Sequence, residues 1–188
     1  MLIVELYMRH ACATESALLM NVTRCRQYWS TPDRTPHQWM WLWDSCYHSM
    51  AMNLLTVPAP ATALDASSSH EFAADNVPGD RVAWDYIKSV LLGADATGAI
   101  SIERTPSSVG TEVVQTQPPL LTWATAENYA ACAVRGGGSE CTERLAFAFP
   151  RLEGYIRWDM TRRRDRTNST QLYFWTKGTE SGMDNSQR

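Results

Sequence analysis

Apolar side chains recur along this chain at helical intervals, in stripes broad enough to be covered by other helices, and almost nowhere in the alternation that marks a strand. Residues 2–28 show it first, with Leu2, Leu6, Ala13, Ala17, Leu18 and Val22 spaced for a helix. The turn chemistry of Ser30-Thr31-Pro32-Asp33-Arg34-Thr35-Pro36 ends it. A second helix is expected over residues 45–55, capped by Asp44 or Ser45, because a short acceptor side chain satisfies free N–H groups at a helix start. Residues 57–80 are rich in Pro, Ala, Ser and Asp and read as connecting chain, with a short helix near 61–66. Further helices are expected over 81–92, ended by Gly93, and from Gln117-Pro118-Pro119 to about 133. A long one over 143–162 contains Pro150, which should kink it or mark a join. Residues 97–104 read as loop or briefly extended chain, and Gly136-Gly137-Gly138-Ser139 as a flexible loop. The spacing therefore predicts an all-α fold, one layer of helices packed on another.

A chain of 188 residues is long enough to bury one substantial core. Its formal charge of -3 gives no global basic field for nucleic acid or an anionic membrane surface. The one basic cluster, Arg162-Arg163-Arg164, lies between Asp159 and Asp165 and reads as a solvated loop or helix end. No stretch approaches the roughly 18 apolar residues of a membrane span. Met1-Leu2-Ile3-Val4-Glu5 has neither the basic start nor the apolar length of a signal peptide. The five cysteines, Cys12, Cys25, Cys46, Cys132 and Cys141, are odd in number and contain no CxxC pair. That speaks against a zinc site, a redox dithiol and a closed disulfide framework. Free thiols in a reducing, cytoplasmic compartment are the expectation, with no metal or other cofactor.

The aromatic profile is more pointed: eight Trp and seven Tyr against four Phe. Trp and Tyr join a flat apolar face to a polar edge, which suits a sugar whose C–H face stacks while its hydroxyls seek hydrogen bonds. Four stretches concentrate such residues with carboxylates, amides and glycines ahead of helices. They are Trp41-Leu42-Trp43-Asp44-Ser45, the segment from Gly98 to Glu103, Thr116-Gln117-Pro118-Pro119-Leu120-Leu121-Thr122-Trp123-Ala124, and Gly178-Thr179-Glu180-Ser181-Gly182-Met183-Asp184-Asn185-Ser186. In this order they resemble glycoside hydrolase family 63, and within it the small mannosylglycerate and glucosylglycerate hydrolase-like enzymes. The first stretch is similar to that family's W-x-WDS motif, the third to QPP-x-x-x-WA, and the fourth to GTESG-x-DNSPR. The chain departs from the pattern at Gln187, where the family usually has proline, and Ser101-Ile102-Glu103-Arg104 follows the short loop motif only loosely.

The resemblance implies an (α/α)6 barrel of which residues 1–188 form about the N-terminal half of one catalytic domain, with a sugar site at one mouth. It implies inverting hydrolysis of a small α-glucoside or α-mannoside such as a hexosyl-glycerate. One carboxylic acid then protonates the leaving oxygen while a second carboxylate activates water on the opposite face. Asp184 matches the general acid; the base falls late in the full domain and matches nothing here. Asp44 matches the aspartate that holds sugar hydroxyls, Trp41 and Trp43 the stacking positions, and Gln117 a substrate-contacting amide. Glu180 is placed to supply a repulsive charge to Asp184 or a hydrogen bond to the sugar. From the residues alone, Asp184 reads first as a helix cap, Asp44 equally as a cap, Gln117 equally as a helix-start residue and one of the tryptophans as core. His48 reads as a packed helix histidine. The alternatives are a truncated non-catalytic sugar-binding or scaffold chain, or an oligosaccharide-trimming α-glucosidase; oligomeric state is left open.

Overall fold

The computed structural model describes residues 9–10, 28–29, 40–57, 77–104, 115–164 and 172–181. Within them the chain is mostly helical: α1 Leu42–Met52, α2 Gly79–Leu91, α3 Leu121–Val134 and α4 Ser139–Arg162, then a 3-10 turn, Gly178–Ser181. Six two-residue strands pair antiparallel in twos: β1 Arg9–His10 with β2 Tyr28–Trp29, β3 Met40–Trp41 with β6 Glu103–Arg104, and β4 Thr56–Val57 with β5 Val77–Pro78. The all-α expectation holds at this level. The helix expected over 2–28 is interrupted, because Arg9–His10 forms strand pairs with Tyr28–Trp29; the rest of it lies outside the described residues, as does the short helix near 61–66.

The four helices alternate in direction. Gly79 N–H donates to the Leu55 carbonyl, so α2 starts where α1 ends. Asn128 of α3 reaches Asn53 just past α1, and the Tyr155 hydroxyl late in α4 reaches the Gln117 carbonyl just before α3. One end of the layer therefore carries the starts of α1 and α3 with the ends of α2 and α4. In α2 the buried residues Val82, Ala83, Tyr86, Ile87, Val90 and Leu91 follow the helical repeat. Of these, Ile87, Val90 and Leu91 meet Leu42 and Cys46 of α1, Leu121 and Ala124 of α3, and Ala148, Leu152, Tyr155 and Trp158 of α4 in one core.

Helix α4 runs unbroken through Pro150, so no join occurs there. Pro150 and Ala146 are both outside the buried core, and the carbonyl that proline leaves without its usual partner lies on the wet side of the helix. At the far end from α1's start, buried charges tie three helices together. Asp80 accepts from Arg135 Nε at 2.6 Å and Nη2 at 3.0 Å, and Arg144 Nη1 lies 2.9 Å from it. Glu140 receives Arg81, Arg135 and Arg144.

The same end corrects the thiol reading. Cys132 and Cys141 form a disulfide across the α3–α4 turn, with Cα atoms 5.7 Å apart. A side chain at Gly137 would lie 2.6 Å from one of these sulfurs and 2.8 Å from the other, so the glycine makes room for the bridge. The free-thiol expectation therefore fails for Cys132 and Cys141, while Cys12 and Cys25 lie outside the described residues. Among the described residues Cys46 is a free thiol, buried, its pKa pushed up to about 12 by burial and by Asp44. No helix among them is long and apolar enough to cross a membrane.

Candidate functional site

The first N–H groups of a helix have no carbonyl of their own helix to reach. At α1 the first two are satisfied from elsewhere in the chain. Trp41, at the N-cap, is extended (φ -106°, ψ 142°) and makes no capping bond with its side chain. Leu42 N–H donates to the Ile102 carbonyl at 3.0 Å, and Trp43 N–H donates to Gln117 Oε1 at 2.9 Å. Helix α1 thus starts three residues before the predicted position. Asp44 and Ser45 sit inside it rather than at its cap; Asp44 is an acid in the first turn, where the helix dipole favours a negative charge.

These bonds draw the sequence stretches to one place. Met40 and Trp41 pair with Arg104 and Glu103, and Ile102 N–H donates to the Gln115 carbonyl. The Tyr155 hydroxyl donates to the Gln117 carbonyl at 3.1 Å and lies 2.8 Å from Thr116 Oγ1. Gln117 is itself 3% exposed, and its amide oxygen is held by α1. Trp41, Trp43 and Asp44 are half-buried. The Trp43 ring meets Tyr47 edge-on at 5.6 Å between centroids and packs against the core, the role the residues alone allowed for one of the two tryptophans. His48, expected as a packed helix histidine, is half-buried, and desolvation lowers its pKa.

The second stretch turns at Gly98, whose φ of 90° is the left-handed conformation that suits glycine. A Cβ there would come within 2.6 Å of the Gly154 backbone in α4. This close approach sets the turn against the helix and carries the chain on to Ile102.

The fourth stretch docks through Glu180. Its side chain is fully buried, and both oxygens are taken. Oε1 accepts from Thr116 N–H at 3.0 Å and Arg163 Nη2 at 2.6 Å. Oε2 accepts from Thr176 N–H and Oγ1, each at 2.6 Å, and from Lys177 N–H at 3.1 Å. Burial works to raise the Glu180 pKa, but these donors outweigh it and hold the carboxyl below its usual value. With no surface to offer, Glu180 anchors the segment rather than facing a sugar. Thr179 adds a bond from its hydroxyl to Gln115 Oε1. Asp184 lies outside the described residues.

Arg163 corrects the reading of the basic run as solvated. It is 5% exposed, paired with Glu180, and its guanidinium lies 4.8 Å from the centre of the Trp158 ring. Asp159 is also buried nearby; desolvation raises its pKa, Arg163 opposes that, and Glu180 adds to it. Sequence reasoning missed Arg163, Tyr155 and Asp159 as parts of this region. The Arg163–Glu180 pair joins residues seventeen apart, and nothing in a run of three arginines tells which one turns inward.

No family model matches the sequence, and no curated protein does. Solved structures with a similar fold include two from one organism. One is an uncharacterized conserved protein from Thermus thermophilus, with a TM-score of 0.56; the other is a GH63 mannosylglycerate hydrolase from the same organism, solved in complex with glucose, with a TM-score of 0.53. Each is 22% identical to this chain, over 84% of this chain and 35% of its own. The chain thus spans about a third of the length of either neighbour, and at this identity the likeness speaks for the fold, a helical arrangement shared with a glycoside hydrolase.

Proposed function

We propose that this chain carries the acid-bearing part of an inverting glycoside hydrolase of the family 63 type, acting on a small α-glucoside or α-mannoside such as a hexosyl-glycerate. The observation that supports this best is the bond from Trp43 N–H to Gln117 Oε1, which joins two stretches 74 residues apart. The Thr116–Glu180 bond brings a third stretch to the same place. In this reading Trp41 and Trp43 offer ring faces to the sugar, and Asp44 accepts from neighbouring hydroxyls. Three residues of chain lie between Glu180 and Asp184, four steps with a reach of at most about 14 Å. Asp184, protonated, gives its proton to the departing glycosidic oxygen, while a carboxylate outside this chain takes one from the attacking water. The (α/α)6 barrel is completed by helices beyond the four described.

Titration calorimetry of the purified chain with glucosylglycerate and mannosylglycerate tests the proposal. Saturable binding of one of them is expected, weakened about tenfold or more in Trp43→Ala and Asp44→Asn, since each loses one stacking or charged contact. No turnover is expected from this chain alone. Absence of binding to either sugar, or binding that both variants leave intact, rejects the proposal.

A further inference from the structure

We infer that the buried Arg163–Glu180 pair is the positioning device of the proposed site, fixing how the segment after Trp175 is seated against Thr116 and Gln117. The inference rests on the proposed sugar site but uses residues that touch no substrate in it. One carboxylate gathers five donors from three separate places: the start of the Thr116–Gln117 strip, the end of α4, and the Thr176–Lys177 turn. A neutral side chain of the same shape cannot accept all five, because an amide presents one oxygen where the carboxylate presents two. The strip held at Thr116 continues directly into Gln117, whose amide oxygen receives Trp43 N–H. A displacement at Glu180 is therefore transmitted through two residues of backbone to the first turn of α1. On the other side the segment runs on through Ser181 toward Asp184.

The groups around the pair fit this role. Arg163 is covered by the Trp158 ring, and its backbone carbonyl accepts Phe174 N–H at 2.8 Å, so the start of the segment and its buried anchor are tied to the same residue. Arg163 N–H donates to the Asp159 carbonyl one turn back at 2.8 Å, and the Tyr155 hydroxyl links Thr116 to Gln117 from α4. Arg163 thus balances Glu180 where water cannot, and Glu180 converts that charge into a fixed position for three backbone N–H groups.

The test is amide hydrogen exchange on the full chain, read at Thr116, Thr176, Lys177 and Trp43, with Val90 and Leu91 of α2 as the core reference. In Glu180→Gln the first four amides are expected to exchange about tenfold faster or more, as charge-assisted bonds are lost. The α2 amides stay within about twofold. Trp43 is the decisive reporter, since a staple acting only on its own segment leaves it unmoved. Arg163→Lys, which keeps the charge and one donor, is expected to retain more protection at Trp43 than Arg163→Met. Unchanged protection at Trp43 in Glu180→Gln overturns the inference. So does a uniform loss that includes α2, in Glu180→Gln and Arg163→Lys alike. If the wild-type chain binds neither sugar, the sugar reading falls by that result, while the exchange pattern still decides whether Glu180 positions Gln117 and α1.

Discussion

Replacing Asp80 with asparagine asks how much the charged clamp at the far end of the helices contributes. The side chain keeps its volume, but its amide turns donors toward two guanidiniums. Asp80 is 4% exposed and Arg144 likewise 4%, so the lost charge leaves a buried cation short of its partner. Breaking such a pair costs about 3–5 kcal/mol when nothing replaces it. Here Glu140 still holds Arg144 at 2.6 Å and Arg135 at 2.9 Å, which places the expected loss at the lower end, about 3 kcal/mol. For a chain of this size that corresponds to a drop of about 6–12 °C in Tm. Urea denaturation with a thermal melt measures it. The control is Glu153→Gln, whose partner Arg157 is 75% exposed; that pair should be worth at most about 0.5 kcal/mol. A loss below about 1 kcal/mol in Asp80→Asn, no larger than the control, refutes the reasoning and assigns the packing of α2 on α3 and α4 to apolar burial alone.

Other perturbations reach different parts of the same structure. Cys132→Ser is expected to cost about 2–3 kcal/mol through loss of the loop closed across nine residues of sequence separation, measured by urea midpoint and reproduced by a reductant on the wild type. Gly98→Ala combines a positive φ with a clash on Gly154, and a loss of about 2–4 kcal/mol in thermal stability is expected. Acid should weaken the fold through Glu140, whose pKa is lowered to about 2: burial works upward, but bonds from Arg81, Arg135 and Arg144 prevail. Glu180 is shifted the same way. A carboxylate depressed in the folded state stabilises fully above its unfolded pKa, so this contribution is present above about pH 4.5 and is lost as pH falls toward 2. Asp159 runs the other way: its pKa is raised chiefly by desolvation, so its contribution is lost as pH rises through that value, and Asp159→Asn should remove this part of the pH profile in urea melts.

Periodicity made the helices legible. The repeat from Val82 to Leu91 and the long pattern through Arg162 reflect burial against other helices, which is what periodicity records. Their starts were less legible, because α1 begins at Leu42 only where Ile102 and Gln117 supply acceptors from distant sequence. A local capping rule looks for a nearby short acceptor and so settles on Asp44. The same limit hid Arg163 and the role of Glu180: whether a charge is solvated or buried depends on a partner brought by the fold. The disulfide did carry a signal, two cysteines flanking a glycine-rich turn between helices, but an odd cysteine count masks it. Grouping Trp41–Asp44 with Gln117 and the Gly178–Ser181 segment rested on a family resemblance, and in the structure hydrogen bonds bring all three together.

Where a sugar touches this chain decides whether it carries a glycoside hydrolase site. Chemical-shift mapping of the labelled protein during titration with glucosylglycerate and mannosylglycerate reads that out residue by residue. The expected result is a cluster of perturbed signals at the indoles of Trp41 and Trp43, at Asp44 and at Asp184. Perturbations confined to the exposed Trp123 and Tyr129 on α3, or none at all at saturating sugar, contradict it.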